Sequence, residues 1–103
     1  METSSYTPLP DCVTIKPSTV HGLGLFATQD IPAGTVLGTS HYFIKGWDTV
    51  IRTPLGGFYN HSENPNCKTD INGDFANLVV IKDISKGEEL LAKYGKINNA
   101  VFL

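Results

Sequence analysis

Short apolar runs alternate with turn-forming clusters along most of the chain. The runs are rich in Val, Ile, Leu, Phe and Tyr, and Gly, Pro, Asn and Asp separate them. An apolar repeat of helical period is hard to find. The pattern therefore predicts a mostly β fold with little helix. The predicted strands cover residues 13–16, 25–28, 36–39, 42–45, 75–81 and 89–92.

Two local features sharpen this prediction. Asn72 and Gly73 supply the two positive φ angles of a type I′ turn between apolar runs, so residues 66–71 should pair with 74–80. Residues 29–37 and 82–90 share Asp, Ile, Gly and Leu at matching positions. Both copies predict a strand, a tight turn with glycine at its positive-φ position, and a second strand.

Residues 40–57 are the least regular part of the pattern and contain the only tryptophan, Trp47. We expect a loop that shapes a site here, because functional residues are concentrated on loops.

Composition and length indicate one folded domain over residues 1–103. The chain has 41% hydrophobic and 17% charged residues, as is ordinary for a folded protein. A net charge of −2 without a basic cluster gives no support for nucleic-acid binding. No apolar run is long enough to span a bilayer and the start lacks a signal-peptide pattern, so no membrane contact and no secretion are expected.

The two cysteines, Cys12 and Cys67, are too few and too far apart for a disulfide framework or for paired zinc ligands. The sequence therefore predicts no metal site.

Four short motifs occur in an informative order. They are Gly-Leu-Gly at 22–24, Asn-His-Ser-Glu-Asn-Pro-Asn at 60–66, Gly-Glu-Glu-Leu at 87–90 and Tyr-Gly at 94–95. Each motif is common alone, since glycines and polar residues occur wherever the backbone turns. Their joint order is far more specific.

This order resembles the SET-domain family of protein-lysine methyltransferases over roughly residues 13–95. Small, single-domain viral members are the most similar in length and in lacking zinc modules. The resemblance implies a fold of several small curved sheets. It also implies a C-terminal pseudoknot, in which the Asn-His-Ser loop and the tail cross, and S-adenosylmethionine as cofactor.

The resemblance also implies which residues bind that cofactor. Gly22, Leu23 and Gly24 would approach its methionine part through backbone groups, as glycine permits because it has no Cβ. Asn60 and His61 would contact the adenosine and carboxylate region, with His61 using backbone atoms or orienting the loop. The alternative for His61 is an ordinary turn histidine.

Catalysis is carried by Tyr94 under the same resemblance, since its hydroxyl would lie beside the cofactor sulfonium. Phe102 would close over the adenine as a lid, or be an ordinary packed terminus. Tyr42 and Tyr59 are candidate walls of a lysine channel, although aromatic residues of a β-rich domain are more often core.

The sequence departs from the family pattern at several places. Glu63 stands where the family often has Cys, Leu-Ala-Lys-Tyr at 91–94 replaces Thr-x-Asp-Tyr, and Gly-Phe-Tyr at 57–59 replaces Arg-Phe-Ile. The stretch between Thr39 and Asn60 is short for the insert that builds one wall of the peptide groove. The short stretch therefore favours a homodimer, in which a second subunit supplies that wall.

Three functions follow from different classes of protein. The first is methyl transfer from S-adenosylmethionine to a lysine of a histone or another protein, in the cytoplasm or, for a viral protein, in the host-cell nucleus. The second is a catalytically silent SET-like module that binds cofactor or peptide. The third is a small structural β-rich protein in which the motifs occur by chance.

Overall fold

The computed structural model describes residues 9–44, 49–93, 96–97 and 100–101. Strands dominate, and helix accounts for 5% of the described residues, so the predicted mostly β fold is confirmed. The elements are β1 (Val13–Pro17), β2 (Leu23–Ala27), β3 (Val36–Ile44), β4 (Thr49–Arg52), α1 (Pro54–Gly57), β5 (Asn60–His61), β6 (Cys67–Asn72), β7 (Phe75–Val80), β8 (Glu89–Ala92), β9 (Lys96–Ile97) and β10 (Ala100–Val101).

One sheet connects eight of these strands. Its order is β1-β2-β8-β6-β7-β3-β4, with β5 also paired to β8, while β9 and β10 form a separate antiparallel pair. Strand β8 pairs antiparallel with β2 and parallel with β5 and β6. It therefore joins the first hairpin of the chain to the remaining strands.

The main core lies under the middle of this sheet. Leu25, Leu78 and Leu90 are fully buried, one on each of β2, β7 and β8. Burial of each such side chain stabilises the fold by about 1.5–3 kcal/mol. Two of these three core strands, β2 and β8, also carry parts of the sequence motifs.

Strand β8 has the predicted bounds, whereas the two strands predicted at 36–39 and 42–45 are one long strand, β3. The polar residues Ser40 and His41 interrupt the apolar pattern, yet both are completely buried. The pairing of β3 with β7 shifts register twice, after Val36 and after Thr39. Such bulges let a long strand bend without ending.

The prediction that residues 40–57 form an irregular loop is wrong for the part the structure describes. The segment contains the end of β3, all of β4 and the single helical turn α1. Thr53 joins these elements, because its Oγ1 donates to the Thr39 carbonyl at 2.7 Å and its carbonyl accepts from the Gly57 amide at 2.8 Å. Tertiary contacts thus order residues 49–57, for which the local pattern predicts no strand.

The predicted hairpin forms, but its loop is one residue further along. Asn72 pairs with Phe75 as the last residue of β6, so the loop residues are Gly73, with φ +70°, and Asp74. The Asp74 carbonyl accepts a 2.8 Å hydrogen bond from the Phe43 amide. This tertiary bond holds Asp74 in the loop, and the Asn-Gly dipeptide alone does not contain that information.

The two similar segments, 29–37 and 82–90, pair with each other. Ile31 and Ile84 exchange two backbone hydrogen bonds, each 2.8 Å long. Both isoleucines are buried, at 3% and 2% exposure. The internal similarity therefore marks a pair of mutually supporting turns.

Reciprocal side-chain bonds extend this approximate two-fold relation. Asp30 Oδ1 accepts from the Lys86 amide at 2.9 Å, and Asp83 Oδ1 accepts from the Ala33 amide at 2.9 Å. Each aspartate thus supports the opposite turn. The corresponding backbone bonds join Ala27 to Gly87 and Glu88, and Val80 to Gly34 and Thr35.

The segment that follows α1 lies beside β8. Asn60 is paired with Leu91 and His61 with Ala92 in parallel register, although about thirty residues separate them in sequence. The Asn-His-Ser segment therefore lies beside the strand that precedes Tyr94 in the chain. The crossing that would make a pseudoknot stays a prediction. No helix in the described part of the chain is long and apolar enough to cross a membrane.

Candidate functional site

Three of the sequence motifs meet at the start of β8 through the side chain of Asn60. Its Nδ2 donates to Glu89 Oε2 at 2.8 Å and lies 3.1 Å from the His21 carbonyl and 3.2 Å from the Leu23 carbonyl. Asn60 is 5% exposed. One amide group therefore joins the Gly-Leu-Gly segment to the Gly-Glu-Glu-Leu segment.

Glu89 has a second partner in Ser18. The Ser18 Oγ lies 2.8 Å and 2.9 Å from the two carboxylate oxygens. The same Oγ accepts a hydrogen bond from the Val20 amide at 2.9 Å, and the Ser18 amide donates to the Gly22 carbonyl at 2.7 Å. The carboxylate is thus connected to the whole turn that precedes β2.

The two glycines of this turn satisfy different requirements. Gly22 has φ +48°, in the left-handed region that favours glycine, and a Cβ built there has nothing within 4 Å. At Gly24 a Cβ would collide with the Glu89 carboxylate and lie 3.2 Å from Asn60 Nδ2. A side chain at Gly24 would therefore displace the Glu89 carboxylate, whereas Gly22 is required by its backbone conformation.

Asn66 fixes the far end of the Asn-His-Ser segment to β8. Its Oδ1 accepts from the Leu91 amide at 2.8 Å, and its Nδ2 donates to the Glu89 carbonyl at 2.9 Å. Its own amide donates to the Leu91 carbonyl at 3.1 Å. The side chain thus pairs with β8 as a short piece of backbone would.

A charged group lies beside this site at the end of β8. Glu63 contacts His61 Nε2 at 2.8 Å and Lys93 Nζ at 3.3 Å. The His61 hydrogen bond, followed by that of Lys93, lowers the pKa of Glu63. Glu63 and Lys93 both lie at positions where the sequence departs from the family pattern, and the two departures contact each other.

A buried histidine lies on β3, away from these motifs. Burial, with the charge of Arg52 as a smaller cause, lowers the pKa of His41 to about 4. Its Nδ1 is 2.8 Å from Ser40 Oγ. The ring is stacked with Phe43 and meets Tyr59 edge to face, in both cases with centroids 6.4 Å apart.

With this geometry, comparison with known proteins identifies the family. The SET domain profile matches residues 39–95, more than half of the chain. The chain belongs to the SET domain family. The matched range includes Asn60 and Glu89 but not Gly22 and Gly24, which the fold places beside them. No curated protein sequence matches this SET domain significantly.

Solved structures share its fold. A candidate histone methyltransferase of Plasmodium falciparum superimposes with a TM-score of 0.70 and 21% identity, covering 86% of this chain and 97% of the other. The Chaetomium thermophilum Polycomb Repressive Complex 2 bound to GSK126 gives 0.65 and 22%, covering 81% of this chain and 16% of the other. The same complex with H3K27me3 and H3K27M gives 0.64 and 20%, covering 84% and 15%. This SET domain therefore spans a small part of the Polycomb chains. The viral subtype stays a prediction.

The structure places most of the predicted cofactor residues of this SET domain together. Gly22, Leu23, Gly24 and Asn60 share one hydrogen-bonded network, and His61 follows directly. Leu23 is 49% exposed, so this edge of the network is open to solvent. The binding roles of these residues stay predictions.

The two tyrosines predicted to line a lysine channel do not belong to this network. Tyr59 is 3% exposed and packs in the core, whereas Tyr42 is 47% exposed on the opposite face of β3 from His41. The structure therefore does not bring the two tyrosines together. Tyr94 and Phe102 lie outside the described residues, and their roles stay predictions.

Sequence reasoning missed three residues of this site: Ser18, Asn66 and Glu89. Glu89 and Asn66 belong to motifs that the sequence analysis recognised, so a signal for them existed. The sequence gives no signal for Ser18, because its partner Glu89 is 71 residues away.

Proposed function

We propose that this SET domain transfers a methyl group from S-adenosylmethionine to a lysine side chain of a protein, either a histone or another substrate. The observation that carries the proposal is the hydrogen bond between Asn60 and Glu89, which unites the motifs at one solvent-accessible edge. The family match and the fold shared with histone methyltransferases support it.

The residues present suit such a cofactor. The side-chain amide of Asn60 makes its hydrogen bonds through Nδ2, so its Oδ1 accepts none from the described residues. An amide oxygen is a good acceptor for the α-amino group in the methionine part of the cofactor. Beside it, the open space around Gly22 and the exposure of Leu23 leave room for a ligand at the backbone.

When bound, S-adenosylmethionine supplies an electrophilic methyl group on a positively charged sulfur. The protein must then present the lysine amine neutral, dry and in line with that group, and most of the rate gain comes from this positioning. An ordinary lysine has a pKa near ~10.4, so burial and a nearby positive charge must favour its neutral form. We assign the orientation of the amine to the hydroxyl of Tyr94.

The test is transfer of labelled methyl from S-adenosylmethionine to a panel of proteins that includes histones. Tyr94→Phe should lower transfer on the order of a hundredfold, because one well-placed polar group is lost. The ring remains, so cofactor affinity should change little. Transfer by the variant at the parental rate would contradict the role of Tyr94.

The second candidate is a silent module that binds cofactor or peptide without transfer. The short stretch from Thr39 to Asn60 favours it, because β4 and α1 occupy most of it and leave little chain for a peptide-binding wall. A rise in melting temperature with S-adenosylmethionine, without transfer to any lysine-bearing substrate, would identify this module.

Binding itself is tested by a matched pair of glycine variants. Gly24→Val should abolish the cofactor-induced rise in melting temperature, because its side chain displaces Glu89. Gly57→Val should preserve it, since a Cβ at Gly57 has nothing within 4 Å. A parent protein with no shift at millimolar cofactor would exclude methyl transfer and any cofactor-binding module, and would leave only the peptide-binding form of the second candidate.

We also propose that a second copy of the chain completes the peptide groove. Sedimentation of the parent with and without a lysine peptide tests this, and a monomer under both conditions would contradict it.

A further inference from the structure

We infer that Glu89 is the positioning residue of the cofactor site: its carboxylate holds Asn60 and the turn 18–24 in the binding conformation before the cofactor arrives. The inference rests on the proposed function and deepens it. It names a residue that contacts neither the transferred methyl group nor the lysine, and that acts through Asn60.

The contacts of the carboxylate come from remote parts of the chain. Ser18 Oγ donates from 71 residues away at 2.8 Å, and Asn60 Nδ2 from 29 residues away at 2.8 Å. Hydrogen bonds to a carboxylate are roughly twice as strong as neutral ones. One half-buried charge therefore brings two binding segments together.

The carboxylate also determines which atom of Asn60 faces a ligand. An ionised carboxylate only accepts hydrogen bonds, so Asn60 must present its NH₂ group to Glu89. The same NH₂ group lies near the carbonyls of His21 and Leu23. The Oδ1 atom of Asn60 is then available to accept a hydrogen bond from the α-amino group of the cofactor.

The turn before β2 depends on the same charge. Ser18 Oγ donates to Glu89 and accepts from the Val20 amide at 2.9 Å and the His21 amide at 3.4 Å. Removal of the carboxylate would release the hydroxyl proton to other acceptors and loosen this turn. The backbone that approaches the cofactor would then be ordered only on binding, at a cost in affinity.

A cycle of variants tests the contact without any ligand. Gly24→Ala should destabilise the parent, because the new Cβ collides with the Glu89 carboxylate. In a Glu89→Ala background the same change should cost much less, since the obstacle is gone. Equal losses of melting temperature in both backgrounds would overturn the inference, because the two positions would then be independent.

Ligand selectivity tests the positioning role. Glu89→Gln should weaken binding of S-adenosylhomocysteine on the order of tenfold, as expected for one charge-assisted hydrogen bond. Binding of 5′-methylthioadenosine, which lacks the amino-acid part, should change little. A general loosening of the structure would weaken both ligands equally, and that result would overturn the inference.

Glu88→Gln is the matched control. It removes the same charge one residue away, and its remaining oxygen can still accept from the Ser85 amide, as Glu88 does at 2.6 Å. It should leave both affinities at the parental value. If the parent binds neither ligand, the proposed function fails, while the Gly24 and Glu89 cycle still decides whether the carboxylate positions the turn.

Discussion

The two paired turns, at residues 30–35 and 83–88, have the same backbone hydrogen bonds. The strands that follow them differ in the side chain at their first residue. After the second turn, Glu89 accepts hydrogen bonds from Ser18 and Asn60. After the first, the matching position is Val36, which is 59% exposed on β3. One turn structure therefore occurs twice in the scaffold, and a single residue after the second turn adds a carboxylate.

Polar side chains have different surroundings on β8 and on β3. On β8, Glu89 is half-buried and its bonds run to other motifs. On β3, Ser40 and His41 are fully buried, and the His41 ring packs against Phe43 and Tyr59. Strand β3 therefore uses polar residues for packing, and β8 uses its own for a site.

The largest expected effect concerns the equivalence of the two turns. Ile31→Ala and Ile84→Ala should each lower the free energy of unfolding by about 3 kcal/mol, because each leaves a cavity at the same contact. Urea denaturation measures both. Ile81→Ala, at a residue 40% exposed, should cost clearly less. Unequal losses for Ile31 and Ile84 would show that the two turns do not contribute equally to stability.

The next effect concerns the buried histidine of β3. The folded pKa of His41, about 4, lies below its unfolded value of 6.5, so the unfolded chain takes up the proton first. Stability should therefore fall as pH drops from 6.5 towards 4, by about 2 kcal/mol between pH 7 and pH 4.5.

Urea denaturation at these two pH values measures the contribution of His41. His41→Phe should flatten the dependence, whereas His21→Gln, at an exposed position, should preserve it. If the stability of the His41 variant depends on pH as strongly as that of the parent, other groups cause the effect.

A smaller effect tests the reciprocal aspartates. Asp30→Ala and Asp83→Ala should each cost about 1 kcal/mol, because each removes one side-chain bond to the opposite turn. Asp70→Ala, an exposed residue of β6, is the control and should have almost no effect. If only one of the two turn variants is destabilised, the turns are not equivalent in energy.

The smallest effect lies at the end of β8. The lowered pKa of Glu63 adds stability that is present above its unfolded pKa and lost as pH falls through the folded value. His61→Gln should raise this pKa more than Lys93→Ala, because the His61 hydrogen bond is the larger cause. Carboxyl NMR titration measures both, with Lys68→Ala as the control. An unchanged Glu63 titration in both variants would contradict the contacts.

Much of the scaffold could be predicted from the sequence because its signals are local. Strand β8 has its predicted bounds, since apolar alternation and a preceding glycine turn define it. The hairpin was predicted one residue early, because the Asp74 carbonyl bond to Phe43 is tertiary. The matching segments predicted two turns, but their pairing across Ile31 and Ile84 left no local trace.

The site was predictable in part for the same reason. Gly24 and Asn60 were found through motifs, whereas the reason for Gly24 lies in the Glu89 carboxylate that a Cβ would meet. Tyr59 was predicted to line a channel, but its contact with His41 places it in the core. Pairing between distant side chains depends on the completed fold, so no sequence window contains it.

The most direct test of the account is a titration of the ¹⁵N-labelled protein with S-adenosylmethionine, followed by amide NMR. The account predicts saturable shifts at Gly22, Leu23, Gly24, Asn60 and His61, while the turns at 30–35 and 83–88 change little because they serve only as scaffold. Shifts confined to those turns, or no shift at millimolar cofactor, would contradict it.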